Sequence, residues 1–344
     1  LLGTASAFMS PGGARSSGMR MSSKNVLVIG GTRFSGLYLW KELLDQGHRV
    51  TLFNRGKTEL KPLPTESPAE FEARKAATTF IAGDRKNVDD LNSKLSGLPF
   101  DAVFDMNARE LEDTKPMADL FRGKVDNYVF MSSAGVYLKS DVMPHMEQDA
   151  VDPKCRHKGK LDSEDYLKST GMPYTAIRPT YIYGPGNYNP IEEMFFSRLD
   201  QGRPICIPGH GKHFTGLGHV KDLAKAFVAV LGSEAAKGQV YNVQDVRAIT
   251  FTGMAYACAE AMGMSPDDVK IQHYDPKAVD LGKAKAFPFR PQHFFTSPDK
   301  ALRDLDWSIE YDLTAGLMDS YANDFLAKKA AGTLKLDFSA DDII

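Results

Sequence analysis

The residues of this chain best equipped for chemistry lie in a cationic run. Lys154, Arg156, Lys158 and Lys160, with His157 among them, put four formal charges and an imidazole into seven residues. Ammonium and guanidinium groups at that density suit phosphate oxygens, and a histidine beside them can move a proton near neutral pH. The plain alternative is a solvated face, the usual fate of a charge run. A second basic stretch, Lys277 to Phe295, interleaves Lys283, Lys285, Arg290 and His293 with Phe287, Phe289, Phe294 and Phe295. Cations beside exposed aromatic faces fit phosphates and unpaired bases, although two or more of these phenylalanines also fit a core. Asp84 and Asp105 each close an apolar run. They are placed to touch an adenine or, by position alone, to hold Mg²⁺ for an in-line attack.

These groups need a scaffold, and the periodicity supplies one. Residues 24–29 are a short β-branched run stopped by Gly30 and Gly31, a buried parallel strand by length and flanks. Thr32, Arg33, Phe34 and Gly36 form the turn, and Leu37, Trp40, Leu43 and Leu44 mark one face of a helix that Gly47 ends. Residues 48–53 give a second strand, closing the first βαβ unit. A glycine turn between strand and helix aims backbone N–H groups and a helix N-terminus at a pyrophosphate. Further strands are expected at 79–84, 101–105, 128–133 and 174–179 with helices between, and 57–75 as a surface loop or short helix. Such alternation means a doubly wound parallel sheet, an α/β Rossmann-like fold. The Rossmann-like domain is expected over 25–180. A smaller C-terminal α/β lobe over 181–330 follows, with 215–245 returning to the sheet, a tail at 331–344 and a site-lining loop at Gly184-Pro185-Gly186.

The glycine turn resembles the Gly-x-x-Gly-x-x-Gly pattern of the extended short-chain dehydrogenase/reductases, Gly30 first and Gly36 last, with Arg33 in place of the middle glycine. Arg33 crowds an ordinary NAD pose, yet its guanidinium can itself hold a phosphate. Asn54 and Arg55 stand where the ribose-binding acid would be, which favours NADP or another phosphate-rich ligand over NAD. Active members of that superfamily pair a serine or threonine with Tyr-x-x-x-Lys, the lysine drawing the phenol toward phenolate. Ser133 fills the serine position and Lys160 the lysine. Four residues before Lys160 stands Arg156, which has no proton to exchange near neutral pH. Ordinary dehydrogenase, epimerase or dehydratase chemistry is therefore not expected, and His157 is the one substitute acid–base group at hand.

Composition narrows the partners. At about 150 residues per domain, 344 residues imply roughly two domains. Forty-two basic against 44 acidic residues and 42% hydrophobic content exclude a disordered chain and a wholesale polycation. Three cysteines (Cys155, Cys206, Cys258) form no closely spaced pair, as expected of a reducing compartment. No run of about 18 apolar residues is present. Residues 1–24 are acid-free, serine-rich and Arg-bearing, the composition of a plastid-targeting remnant. Any RNA affinity must then come from local patches and fall with salt.

Longer strings resemble the chloroplast stem-loop-binding proteins, the b form more than the a form. They are Gly30-Gly31-Thr32-Arg33-Phe34, the Ser132–Asp141 and Asp149–Lys154 segments, Arg156–Lys160, Arg178–Pro185, Asn187–Pro190, Gly218–Ala224 and Lys285–Phe295. The resemblance runs from about residue 25 to 325. It implies a plastid stromal protein that binds stem-loop RNA, with divalent-metal-dependent endoribonuclease activity. It also implies association with ribosomal particles, ribosomal RNA and plastid transcripts, and homo- or hetero-oligomers with a paralogue. On these residues RNA would be held by Lys154, Arg156, Lys158, Lys160, Lys283, Lys285, Arg290 and His293. Two other readings stay open: an NADP-dependent nucleotide-sugar enzyme with an atypical site centred on Ser133, Arg156, His157 and Lys160, and a non-catalytic scaffold of ribonucleoprotein assemblies.

Overall fold

A computed structural model describes residues 22–344, so nearly all of the 1–24 segment read as a leader lies outside the described residues. Elements in chain order are β1 (Asn25–Ile29), α1 (Ser35–Asp45), β2 (Arg49–Asn54), α2 (Pro68–Ala76), β3 (Thr78–Ala82), α3 (Val88–Leu95), β4 (Ala102–Asp105), α4 (Leu111–Phe121), β5 (Asn127–Met131), α5 (Lys158–Ser169) and β6 (Tyr174–Pro179). They continue with β7 (Tyr181–Tyr183), α6 (Glu193–Asp200), β8 (Ile205–Pro208), β9 (Phe214–Thr215), β10 (Leu217–His219), α7 (Val220–Ala229), β11 (Gln239–Val243), β12 (Ile249–Thr250), α8 (Phe251–Ala261), β13 (Ile271–Tyr274), α9 (Asp299–Asp304) and α10 (Leu313–Ser320).

Seven strands form one parallel sheet in the order β11-β6-β5-β4-β1-β2-β3. The central strands are buried on both faces, which is why they read as unbroken apolar runs rather than alternating ones. On one face Val26, Val28 and Leu52 meet Trp40 of α1 and Phe227 of α7. On the other, Leu27, Ile29 and Val103 meet Leu91, Phe121 and Leu167. Side chains alternating between faces make both cores from the same strands. Burying each of these aliphatic or phenylalanine side chains stabilises the fold by about 1.5–3 kcal/mol.

A third core, Phe195, Phe196, Phe251, Leu317 and Phe325, belongs to the smaller α/β lobe, and Phe287 and Phe289 lie inside it. Phe294 is buried against Ala134 and Tyr137. These three rings therefore stabilise packing, in line with the reading that two or more of the phenylalanines are core. The stretch 331–344 is docked at its end: Arg198 donates to Asp341 at 2.6 Å, with both side chains buried.

Candidate functional site

The first βαβ unit builds a crevice. Gly36 lets α1 approach β1, because a Cβ there would strike the Gly30 carbonyl. Gly30 has φ 85°, and a Cβ on it would sit 2.7 Å from the Asn107 side chain. Phe34 holds φ 34°, in the region that favours glycine, and its ring is buried. Among the described residues, the amides of Thr32, Arg33, Phe34 and Ser35 donate to no protein acceptor, whereas Gly36 N–H already binds Arg33 O at 2.9 Å. Free amides at a helix N-terminus form an anion cradle.

The crevice around that cradle, about 860 Å³, is lined also by Asn54, Arg55, Lys57, Asp84, Lys86, Asn107, Arg109, Met131, Thr180–Ile182 and Tyr188. Seven of the eight sequence-expected nucleotide contacts, Gly30, Thr32, Arg33, Phe34, Asn54, Arg55 and Asp84, line it. Gly36 does not, being a packing residue. The Gly184–Gly186 turn is a second correction, since its amides are occupied behind the wall: Gly184 N–H donates to Glu192 and Gly186 N–H to Asp324. Asn54 accepts Gly56 N–H at 2.8 Å, which presents Arg55 outward.

Beneath the crevice floor Arg85 is clamped. Its guanidinium donates to both Asp105 oxygens at 2.8 and 2.6 Å and to Asp113 O, while Tyr128 donates to Asp105 at 2.8 Å. Burial works to raise the Asp105 carboxyl, but the Arg85 charge and hydrogen bonds hold it below the usual carboxylate range. Asp105 is thus fully buried and spent on Arg85, which overturns its candidacy as a metal ligand. Asp84 accepts Lys86 N–H, a turn contact, and among the described residues no cluster of three metal-ligating side chains exists. Arg85 is a crevice-lining residue that the reading from sequence missed. Its position directly after Asp84 at the end of β3 was the available signal.

The cationic run does not act as one patch. Lys154 is exposed. Lys158 pairs with Asp162 one turn on. Lys160 turns inward, its ammonium 2.5 Å from Met131 O and 5.0 Å from the centre of the Phe130 ring, and burial pushes it down to about 8. That removes Lys160 from any surface RNA contact. Arg156 precedes α5 instead of lying on it, His157 being the N-cap. Among the described residues no tyrosine hydroxyl bonds Lys160; the Tyr181 hydroxyl accepts Arg290 N–H at 2.9 Å.

Arg156 and His157 instead meet Arg290 of the second basic stretch. Arg156 Nε donates to His157 Nε2 at 3.1 Å, and Arg290 Nη2 lies 3.3 Å from that same nitrogen. Both His157 and Arg290 rest on Gly135, where a Cβ would lie 2.6 Å from the imidazole and 2.7 Å from the guanidinium. Ser133 is beneath, its Oγ accepting Gly135 N–H to cap the turn Ala134–Val136. Neither arginine has a carboxylate within ion-pair distance among the described residues. Burial, then Arg156, then Arg290 push the imidazole down to about 4, so the ring is neutral and its Nε2 accepts. Lys283 and Lys285 are exposed on the preceding loop. His293 lies apart, accepting Phe214 N–H and stacked on the Phe214 ring at 5.8 Å.

The NAD dependent epimerase/dehydratase family model matches residues 26–243. The Arabidopsis thaliana chloroplast stem-loop binding protein of 41 kDa b is 51% identical over 94% of this chain and 84% of its own. A Corynebacterium glutamicum UDP-glucose 4-epimerase is 26% identical over 86% of this chain and 94% of its own. Among solved structures, Bacillus anthracis dTDP-glucose 4,6-dehydratase in complex with NAD matches with TM-score 0.71 at 16% identity, over 89% of this chain and 98% of that one. Thermus thermophilus UDP-glucose 4-epimerase, also with NAD, matches with TM-score 0.68 at 20% identity, over 87% and 98%. These two share the fold. Among the described residues no helix is long and apolar enough to cross a membrane. Like its Arabidopsis relative the chain is chloroplastic, and it belongs to the NAD dependent epimerase/dehydratase family and, within it, to the chloroplast stem-loop binding proteins.

Proposed function

We propose that this chain is a stromal RNA-binding protein that holds the phosphates of stem-loop RNA, ribosomal RNA and plastid transcripts among its targets. The observation that carries the reading is the convergence of Arg156 and Arg290 on one neutral imidazole. Two guanidiniums without a carboxylate partner repel each other until an anion lies between them, and a phosphodiester offers the paired oxygens that they bind best. A redox protein needs a proton-donating phenol at this place, and Arg156 cannot serve. The stem-loop name of a 51% identical relative supports the same conclusion.

For the endoribonuclease activity that the family resemblance implies, His157 is the available acid–base group. A ring held near 4 is a feeble base, so the geometry favours holding RNA over cutting it. A second reading, favoured by the free amides of Thr32–Ser35 with Arg55 and Lys57 along the same crevice, is NADP binding. Such a dinucleotide would place its pyrophosphate on the amides and a 2′-phosphate at Arg55, and when bound supplies a hydride acceptor. The test of the main reading is retention of a stem-loop RNA at low salt by the Arg156→Glu/Arg290→Glu variant. The expected result is loss of binding with an unchanged melting temperature; retention equal to wild type would refute it.

A further inference from the structure

The crevice mouth carries a largely exposed aromatic ring. Tyr188 is 70% exposed, yet its loop is pinned. Asn187, itself buried, donates to Ile182 O at 3.1 Å and accepts Asn189 N–H at 2.9 Å, holding the backbone on both sides of Tyr188. The ring meets Phe34 edge-on at 6.3 Å, and the Arg33 guanidinium carbon lies 5.4 Å from its centre. Exposing a phenol on a rigid loop beside a cation forgoes burial and gives a flat platform with an electropositive flank.

Behind the platform the charges are unbalanced. Lys86 is paired with Asp113, and Arg85 with Asp105. Among the described residues Arg33, Arg55, Lys57 and Arg109 have no ion-pair partner, and Asp84 is the one acid of the lining left to oppose them. Tyr181 also lines the crevice and its hydroxyl accepts Arg290 N–H, so the crevice abuts the Arg156–His157–Arg290 cluster.

We infer that Tyr188 and Arg33 form a stacking seat for one unpaired base of a bound RNA, with the flanking phosphates on Arg55, Lys57 and Arg109. The inference rests on the RNA-binding reading and deepens it. A base inside a duplex has both faces covered, so the seat selects loop nucleotides, and stacking tolerates any base because every base has a π-face. Arg33 adds cation–π attraction. The volume is that of one or two nucleotides with their phosphates and not of a helix. A free dinucleotide carries the same chemistry, and the experiment separates the two sources.

The probe is a hairpin RNA with 2-aminopurine in its loop or, in a second hairpin, in its stem, titrated with the full chain at about 50 mM salt, where phosphate contacts are strong. Wild type and Tyr188→Phe are expected to quench the loop probe and leave the stem probe unchanged. Tyr188→Ala should abolish the quench and weaken binding roughly 5- to 150-fold, the span that losing one base stack gives. Excess NADP should restore the loop fluorescence by taking the same seat. A loop probe that does not respond, or an equal response from Tyr188→Ala, overturns the inference, while loss of binding on Arg156→Glu/Arg290→Glu would still uphold RNA binding. A hairpin that wild type does not bind overturns both. If Tyr188→Ala lowers the thermal shift given by NADP but leaves RNA affinity unchanged, the seat belongs to free dinucleotide and the inference fails.

Discussion

Neutralising Arg156 and Arg290 to glutamine tests whether they touch phosphate, and the salt dependence gives the number. Each phosphate contact contributes roughly 0.7 to 0.9 to the slope of log affinity against log salt, so losing two should flatten it by about 1.4 to 1.8. Over a fourfold rise in salt, that difference makes the wild-type advantage shrink about tenfold. Lys158→Gln is the control. Its ammonium is neutralised by Asp162, so the slope should move by less than about 0.5. The assay is fluorescence anisotropy of a labelled hairpin at four salt concentrations and pH 8. The pH matters because the two guanidiniums help to hold His157 near 4. Without them the imidazole rises toward its ordinary value, and at pH 6 it would regain part of the lost charge. Parallel lines for wild type and the double variant, whatever their vertical offset, would refute phosphate contact by this cluster.

Two further outcomes test the scaffold beneath the site. Arg85→Met strands the fully buried Asp105 with Tyr128 as its remaining side-chain donor, and should cost about 3–5 kcal/mol in urea denaturation; a loss under about 1 kcal/mol would contradict the clamp. Glu192 lies behind the crevice wall, where burial raises its carboxyl to about 7 while Gly184 N–H donates to it. A raised acid makes the native state prefer its proton, so stability falls as pH rises from the unfolded value near 4.5 to about 7 and then levels off. Glu192→Gln should therefore stabilise by about 3 kcal/mol at pH 8 and by little below pH 4, and an equal effect at both would dismiss the ionisation argument.

The sheet was legible because its strands obey local rules. Residues 25–29 read as a buried parallel strand from length and bounding glycines, and pairing with β2 and β4 agrees. β11 was less so: Gln239–Val243 lies at the sheet edge, two of its five residues partly exposed, and among the described residues its one strand neighbour is β6. The phenylalanines of 287–294 show the limit of composition. Interleaved charge and ring describe equally an exposed platform and a segment that buries its rings and leaves Arg290 at the surface, and the third core decided it. Tyr188, the aromatic exposed at the crevice, stands in a short polar loop that composition does not distinguish. Lys160 did carry a signal. With Glu164 and Leu167 it lies on one face of α5, the face turned to the sheet, so helical spacing separates it from Lys154 and Lys158.

The same geometry explains why replacing a phenol with arginine does more than delete a proton. A tyrosine paired with Lys160 across one turn requires both on a single helix, but α5 begins at Lys158 and its N-cap is His157. The chain before the cap is therefore free to turn Arg156 away from Lys160 and toward the other lobe. Arg290 is 133 residues from His157, and no local pattern foretells their meeting. Gly135 permits it, since any side chain there would occupy the space that the imidazole and the guanidinium share. Gly135→Ala thus becomes the most economical probe of the whole arrangement: it alters no charge, yet it should push Arg290 off His157 and weaken RNA binding as far as Arg290→Gln does. Full affinity in Gly135→Ala would mean that the convergence of the two guanidiniums is incidental to the site.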